Sequence, residues 1–266
     1  MSDDLNRLGL LDDEDIELDE AALVLACLDH PEADPTGYWD ELDAIEARLD
    51  AIGADAETAV ERADALAEVL AGEYGFGGDA KTYDDPANAD LIRVIDRRRG
   101  LPVSLSILWV ALARRLGWSA DILDVPGHVL VLIGREAAPV IVDPFAGGAR
   151  VSAERLGALV EAAAANGPAV THVAAMPNRA VLVRLLQNQA SRAEAAGKGR
   201  RALDLYTRMT VVAPDYAHGW WERARLELVD GEVAAGRASL GAILEITRDT
   251  VLRQRVTQLL AALSSD

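Results

Sequence analysis

The fold of this chain is decided by residues 100–117, GLPVSLSILWVALARRLG. The body of this stretch, from Val103 to Leu112, is apolar nearly all round, which is typical of a helix buried on every side. Pro102 suits the first turn of a helix, where a missing N–H group needs no partner, and Gly117 ends the periodic pattern. The chain is therefore predicted to contain a buried central helix on which the rest of a domain packs.

The segments on both sides of this helix indicate an α+β domain. Three strands are predicted after it, at 120–125, 129–133 and 140–142, separated by turn-forming segments as in antiparallel hairpins. Helical periodicity precedes it at 19–29, 38–52 and 57–74. We expect a domain over 18–176 with a small antiparallel sheet, preceded by an acidic, flexible tail at 1–17.

The remainder, 177–266, is helical in pattern throughout. Gly197 and Gly231 mark two helix corners that lie 34 residues apart, and Pro214 follows the helix between them. This period is typical of tetratricopeptide repeats, so the segment is predicted to form an all-α array. Such arrays bind protein or peptide partners.

Two adjacent tryptophans, Trp220 and Trp221, lie on the third helix of this array. Neighbouring helical positions face different directions, so we expect one indole to pack inward and the other to face solvent. An exposed indole is a typical anchor for a protein partner.

Composition narrows the function classes. The chain has 266 residues and a net charge of −18, which argues against nucleic-acid or anionic-membrane binding. Residues 1–90 hold 27 acidic and 4 basic residues, a charge of −23, whereas the rest carries +5. Either the two parts pack on each other, or the acidic part binds a basic partner.

With an acidic start, no long apolar run and one cysteine, Cys27, we expect a soluble, cytoplasmic protein without an internal disulfide.

One histidine and one aspartate are candidates for a catalytic pair. His128 starts one predicted strand and Asp143 ends the next, so a hairpin with its loop at 134–138 sets them opposite each other, with β-carbons about 5 Å apart. A carboxylate in that position orients an imidazole and fixes its tautomer. A nucleophile at the start of the central helix would feel the helix dipole, which lowers the pKa of a thiol.

This order resembles the transglutaminase-like, papain-type core, in which a Gly-x-Cys opens a buried helix and a His and an Asp follow. Counting back from the helix end, Pro102 takes the cysteine position. The stretches YDDPAN (83–88), RRRGLPVSLS (97–106), PGH (126–128) and DPFAGG (143–148) are similar to the SirB-type family. Those bacterial proteins join such a domain to tetratricopeptide repeats and are often labelled regulators of sirC expression.

Because Pro102 carries no nucleophile, we expect no enzymatic activity and interpret the domain as a pseudoenzyme, with a regulatory role, coupled to an interaction array. One alternative is a hydrolase or acyl transferase in which Ser104 attacks, His128 is the base and Asp143 orients it. We favour a Ser104 that caps backbone N–H groups in the first helical turn. Another alternative is a purely structural core, with the repeats as the functional surface.

Four residues are candidates for lining a cleft beside the His–Asp pair: Arg99, Pro102, Tyr83 and Asn88. Arg99 belongs to a run of three arginines that either binds an anion at a helix start or pairs with the acidic segment. Tyr83 and Asn88 lie in a loop where turn formation is the competing explanation. No metal-ligand spacing and no phosphate-binding glycine motif occurs, so neither a metal nor a cofactor is expected. The oligomeric state is not indicated.

Overall fold

The computed structural model describes residues 3–125, 128–135, 138–164 and 173–264. They divide into two compact units, Asp13–Val181 and the described residues of Met1–Asp12 with Leu182–Asp266. The helices are α1 (Asp3–Leu10), α2 (Leu18–Cys27), α3 (Thr36–Gly53), α4 (Ala59–Leu66), α5 (Leu91–Arg97), α6 (Pro102–Arg115), α7 (Ala153–Ala164), α8 (Asn178–Ala195), α9 (Gly199–Val212), α10 (Ala217–Val229), α11 (Val233–Ile246) and α12 (Thr250–Ala262). The strands are β1 (Gly77–Gly78), β2 (Arg99–Gly100), β3 (Ala120–Val125), β4 (His128–Ile133), β5 (Val140–Asp143) and β6 (Ala149–Arg150).

The central helix α6 is buried from Pro102 to Ala113, as its composition predicts. Pro102 occupies the first turn, where its missing N–H group has no intrahelical partner to lose. The chain leaves the helix through Gly117, whose φ of 70° is in the left-handed region that favours glycine.

The sheet of four antiparallel strands runs in the order β3-β4-β5-β6. Val131 in β4 pairs with Ile122 on one side and Val142 on the other. Side chains alternate between the two faces of a sheet. One face, which includes Leu123 and Leu130, packs against α7 through Leu156, Leu159 and Val160, and α6 covers the opposite face.

A short parallel pairing of β1 with β2 lies just before α6. Sequence patterns did not predict it, because strands of two residues have no periodicity to detect. It joins the loop that starts at Gly75 to the start of α6. The helix predicted over 57–74 begins at a capping box formed by Thr58 and Glu61, and its second half, Ala67–Glu73, is a π-helix.

The amino-terminal helix α1 belongs to the second unit, where it packs on α9. The prediction of a flexible tail over 1–17 is corrected here, because Leu5 and Leu8 lie one helical turn apart and both are buried. Asp13 is held as well, since its carboxylate accepts hydrogen bonds from the backbone N–H groups of Asn178 and Arg179 at the start of α8. Among the described residues, none of the helices has the length and apolar character that a membrane span requires.

Candidate functional site

His128 and Asp143 meet through their side chains. His128 Nε2 lies 2.9 Å from Asp143 Oδ2, and the two side chains are 27% and 15% exposed. The other carboxylate oxygen, Oδ1, accepts hydrogen bonds from the backbone N–H groups of Phe145 and Ala146. The carboxylate is thus fixed from two directions and holds one nitrogen of the imidazole. Pro126 and Gly127, which precede His128 in the PGH stretch, lie outside the described residues.

The strand register that brings the pair together differs from the predicted one. The ladder ends with Ile133 opposite Val140, so the connection between β4 and β5 is longer than the predicted loop. Continuing that ladder places Asp143 opposite Leu130 and makes His128 its diagonal neighbour. The shift is two residues, an even number, so both side chains stay on one face and within reach of each other.

This shared face is the one covered by α7. His128 pairs with Val125 across β3 and β4, and Val125 packs in the same cluster as Leu130, against α7 residues. Because α6 covers the opposite face, strand alternation directs the His–Asp pair to the side of the sheet away from α6.

The start of α6 offers no thiol, and the hydroxyl in its first turn, that of Ser104, is already engaged. Pro102 is buried, and so is Ser104, whose Oγ lies 2.7 Å from the carbonyl oxygen of Asn88 and 3.1 Å from that of Leu101. The prediction that Ser104 caps N–H groups is therefore wrong, because its hydroxyl donates to carbonyl oxygens instead. Within the part of the chain that the structure describes, no hydrogen bond joins Ser104 to His128.

The loop before α6 is held together by a buried polar network, and Asn88 is its centre. Asn88 is fully buried, and its side-chain amide donates to the carbonyl of Thr82 and accepts from Arg97. Arg97 also forms ion pairs with Asp79 and Asp85. A fully buried, bonded side chain does not line an open cleft, so the cleft role predicted for Asn88 is corrected to a structural one.

Asp79 was missed by sequence reasoning although it anchors this network. Its carboxylate accepts hydrogen bonds from the hydroxyl of Thr82 and from the backbone N–H groups of Thr82 and Lys81. These hydrogen bonds lower the pKa of Asp79 from 3.8 to about 2. The largest effect comes from the hydroxyl of Thr82 and the next largest from the N–H group of Thr82. The signal in the sequence was the spacing of Asp79 from Thr82, which permits an Asx-type turn.

The remaining arginines of the run are occupied by protein groups. Arg98 forms an ion pair with Glu41 and lies over the ring of Phe76, 4.7 Å from its centroid. Arg99 donates to the carbonyl oxygen of Gly75 at 2.6 Å. Arg97 and Arg98 thus pair with carboxylates of the acidic segment. Of the two explanations given for the arginine run, these contacts favour pairing with that segment over anion binding.

An aromatic residue that sequence reasoning did not single out, Phe145, lies over the β1–β2 pairing. A β-carbon at Gly78 would fall 2.5 Å from the Phe145 ring, so glycine is required for this close approach. Tyr83 contacts the same ring edge to face, with centroids 5.9 Å apart. Tyr83 is 43% exposed. Of the four predicted cleft residues, Tyr83 is the one whose ring reaches the chain that follows Asp143.

In the helical unit, Trp220 and Trp221 are both half-buried, so the expectation of one inward and one outward indole is corrected. The indole N–H of Trp220 donates to the carbonyl of Pro214, and Arg223 lies over its ring. Arg255 lies over the ring of Trp221, 4.2 Å from the centroid. Both indoles pack on one cluster formed by Ala224, Leu240, Ile243 and Val256.

No three His, Cys, Asp or Glu side chains are grouped to hold a metal ion in the described ranges. Two histidines of the first unit lie against carboxylates as isolated pairs, His128 with Asp143 and His30 with Asp90, the latter at 2.6 Å. A pair of this kind orients an imidazole but supplies no nucleophile.

Comparison with known proteins places the chain in a family. The model of the transglutaminase-like superfamily matches residues 37–187. A UPF0162 protein of Xylella fastidiosa (strain 9a5c) is 28% identical over 253 residues, 92% of this chain and 89% of that protein. A second, from strain Temecula1 / ATCC 700964, is 31% identical over 191 residues, 69% of this chain and 67% of that protein. A crystal structure of menin that reveals the binding site for the Mixed Lineage Leukemia (MLL) protein aligns with 90% of this chain and 68% of its own, at 12% identity and a TM-score of 0.40. From the family model and the UPF0162 relatives, we conclude that the chain belongs to the transglutaminase-like superfamily.

Proposed function

We propose that this chain is a non-catalytic transglutaminase-like domain coupled to a protein-interaction array, with a regulatory role. The observation that carries the proposal is the start of α6, where buried Pro102 stands in the position that the family resemblance assigns to the cysteine. Proline has no nucleophilic side chain. The His–Asp pair therefore has no group at that position to activate.

The alternative nucleophile, Ser104, is poorly placed for hydrolysis. A serine nucleophile has to reach the substrate and give its proton to a general base. Ser104 is fully buried, and its hydroxyl donates to carbonyl oxygens of Asn88 and Leu101. The His–Asp pair lies on the sheet face away from α6, which also favours a structural role for that pair.

The interaction role rests on the helices from α8 onward, which we interpret as tetratricopeptide repeats. Gly197 and Gly231 adopt φ values of 69° and 81° at the turns between α8 and α9 and between α10 and α11. They lie 34 residues apart, and Pro214 follows α9. The helices α8–α9 and α10–α11 form two consecutive pairs, and α12 follows them as a final helix that can cap the stack.

A covalent-labelling experiment tests the absence of catalysis. Purified full-length protein is incubated with a fluorophosphonate probe and examined by intact-mass spectrometry, next to Ser104→Ala and His128→Ala. We expect no adduct on any of the three proteins. An adduct on Ser104 that disappears in the His128→Ala protein would establish the hydrolase alternative and end the proposal.

The interaction role is tested by capture with the full chain. The bait is wild-type protein, Trp221→Ala or His128→Ala, each checked by circular dichroism for the helical content of the wild type. We expect partners captured by wild type to be lost with Trp221→Ala and retained with His128→Ala. Loss in the His128→Ala protein alone would place partner binding on the α+β domain instead.

A further inference from the structure

A cavity of about 700 Å³ lies at the end of α6 opposite Pro102, away from the His–Asp pair. Its walls come from the last residues of α6, the segment leading into α2, and Trp39 in α3, all within the Asp13–Val181 unit. This volume is within the range of pockets that hold small ligands or a long side chain. Ile16 and Met176 add apolar surface to the lining.

Three arginines line this cavity, Arg114, Arg115 and Arg135, and the first two are already satisfied by protein groups. Arg115 donates to carboxylates of Asp19, Asp43 and Glu46. Burial of its guanidinium acts to lower its pKa, but the charge of Asp19 and these hydrogen bonds outweigh burial and raise the pKa. Arg114 likewise donates hydrogen bonds to the carbonyl oxygen of Ala120 and to the side chains of Asn178 and Asp121. Arg114 and Arg115 therefore leave few donors for an anionic ligand, and Arg135, which is 75% exposed, lies 3.5 Å from Asp121.

The carboxylates of the cavity, in contrast, exceed its guanidinium groups. Glu14, Glu17 and Glu20 line it at every third position and are exposed. Among the described residues their carboxylates form no ion pair and no side-chain hydrogen bond. Trp39, which is half-buried, lines the same cavity as these carboxylates. A ring beside carboxylates is the combination that binds organic cations.

We propose that this cavity binds an alkyl guanidinium or alkyl ammonium group, with Trp39 in contact with the cation and the three glutamates as its counter-ions. The same chemistry occurs in an arginine or lysine side chain of a protein partner and in a free polyamine. The apolar lining suits the methylene chain that both carry. The site depends on the cavity alone and stands whether or not the α+β domain has an activity.

Calorimetric titration of the full-length protein tests this site. The probes are spermidine, the peptide acetyl-Gly-Arg-Gly-amide, and the same peptide with citrulline, which keeps the shape of arginine without its charge. We expect at least one cationic probe to bind, the citrulline peptide to bind far more weakly, and affinity to fall as salt increases. Binding by the arginine peptide alone identifies a protein segment as the source, and binding by spermidine alone identifies a polyamine.

Matched variants separate this site from general attraction to an acidic protein. Trp39→Leu keeps every charge and is expected to weaken binding by about threefold to tenfold, whereas Trp39→Phe keeps most of the affinity. Glu17→Gln with Glu20→Gln is expected to weaken binding, while Glu57→Gln with Glu161→Gln, which removes the same charge from exposed positions elsewhere, leaves it unchanged. Equal binding of the citrulline peptide, no binding of either cation, or unchanged affinity in Trp39→Leu overturns the proposal.

Discussion

Replacement of Gly9 by alanine tests whether α1 is packed on α9. A β-carbon at Gly9 would fall 2.4 Å from the backbone carbonyl oxygen of Val211. That oxygen belongs to α9 and moves only if a helix moves. Overpacking of this kind costs about 1–3 kcal/mol, while the better helix propensity of alanine returns about 0.5–1 kcal/mol. We expect Gly9→Ala to lower the free energy of unfolding by about 1–2 kcal/mol.

The cost has an upper limit, because α1 can leave α9 instead of tolerating the contact. Detachment exposes Leu5 and Leu8, which are 0% and 5% exposed, at about 1.5–3 kcal/mol each. Hydrogen exchange distinguishes the two responses, since detachment removes the protection of the α1 amides.

The matched control is Gly241→Ala in α11, where a β-carbon would have no atom within 4 Å. This variant carries the propensity gain without a contact and is expected to raise stability by up to about 1 kcal/mol. Urea denaturation of both variants gives the comparison. If Gly9→Ala were as stable as Gly241→Ala, the packing of α1 on α9 would be refuted.

Three further predictions concern the first unit. Arg115→Leu leaves the Asp19 carboxylate, 3% exposed, without its partner and is expected to destabilise by about 3 kcal/mol in urea denaturation; a loss under about 0.5 kcal/mol contradicts this. The carboxyl of Asp79 is expected to titrate by NMR near pH 2. Because folding lowers this pKa, the stability that the ionised Asp79 contributes is complete above pH 3.8 and is lost as pH falls toward 2. A titration midpoint at pH 3.8 or above in the folded protein contradicts this prediction. Ser104→Ala removes a buried hydrogen bond to the Asn88 carbonyl and is expected to cost about 1 kcal/mol, whereas a neutral effect in thermal unfolding argues against that bond.

The elements around α6 were predictable because local patterns determine them. The apolar body of the helix, Pro102 in its first turn and Gly117 after its end each have one straightforward structural explanation. Alternation along β4 and β5 then placed His128 and Asp143 on one face. The exact register was not predictable, since the length of the connection between the strands sets it.

Features that depend on tertiary partners were not visible in the sequence. Acidity at the amino terminus suggested a flexible tail, yet the spacing of Leu5 and Leu8 was the decisive signal, and their partner lies about 200 residues away in α9. The hydroxyl of Ser104 donates to a carbonyl of the preceding loop, a contact between residues 16 positions apart that no local pattern predicts. Phe145 similarly needs Gly78 beneath its ring, and no periodic pattern connects the two.

The most direct measurement for the central claim is turnover of amide, ester and thioester substrates by wild-type protein compared with His128→Ala. The start of α6 lacks a nucleophile, so we expect both proteins to give the rate of buffer alone at every pH. Turnover by wild type that disappears in His128→Ala would contradict the account, because it would require a reactive group within reach of that imidazole.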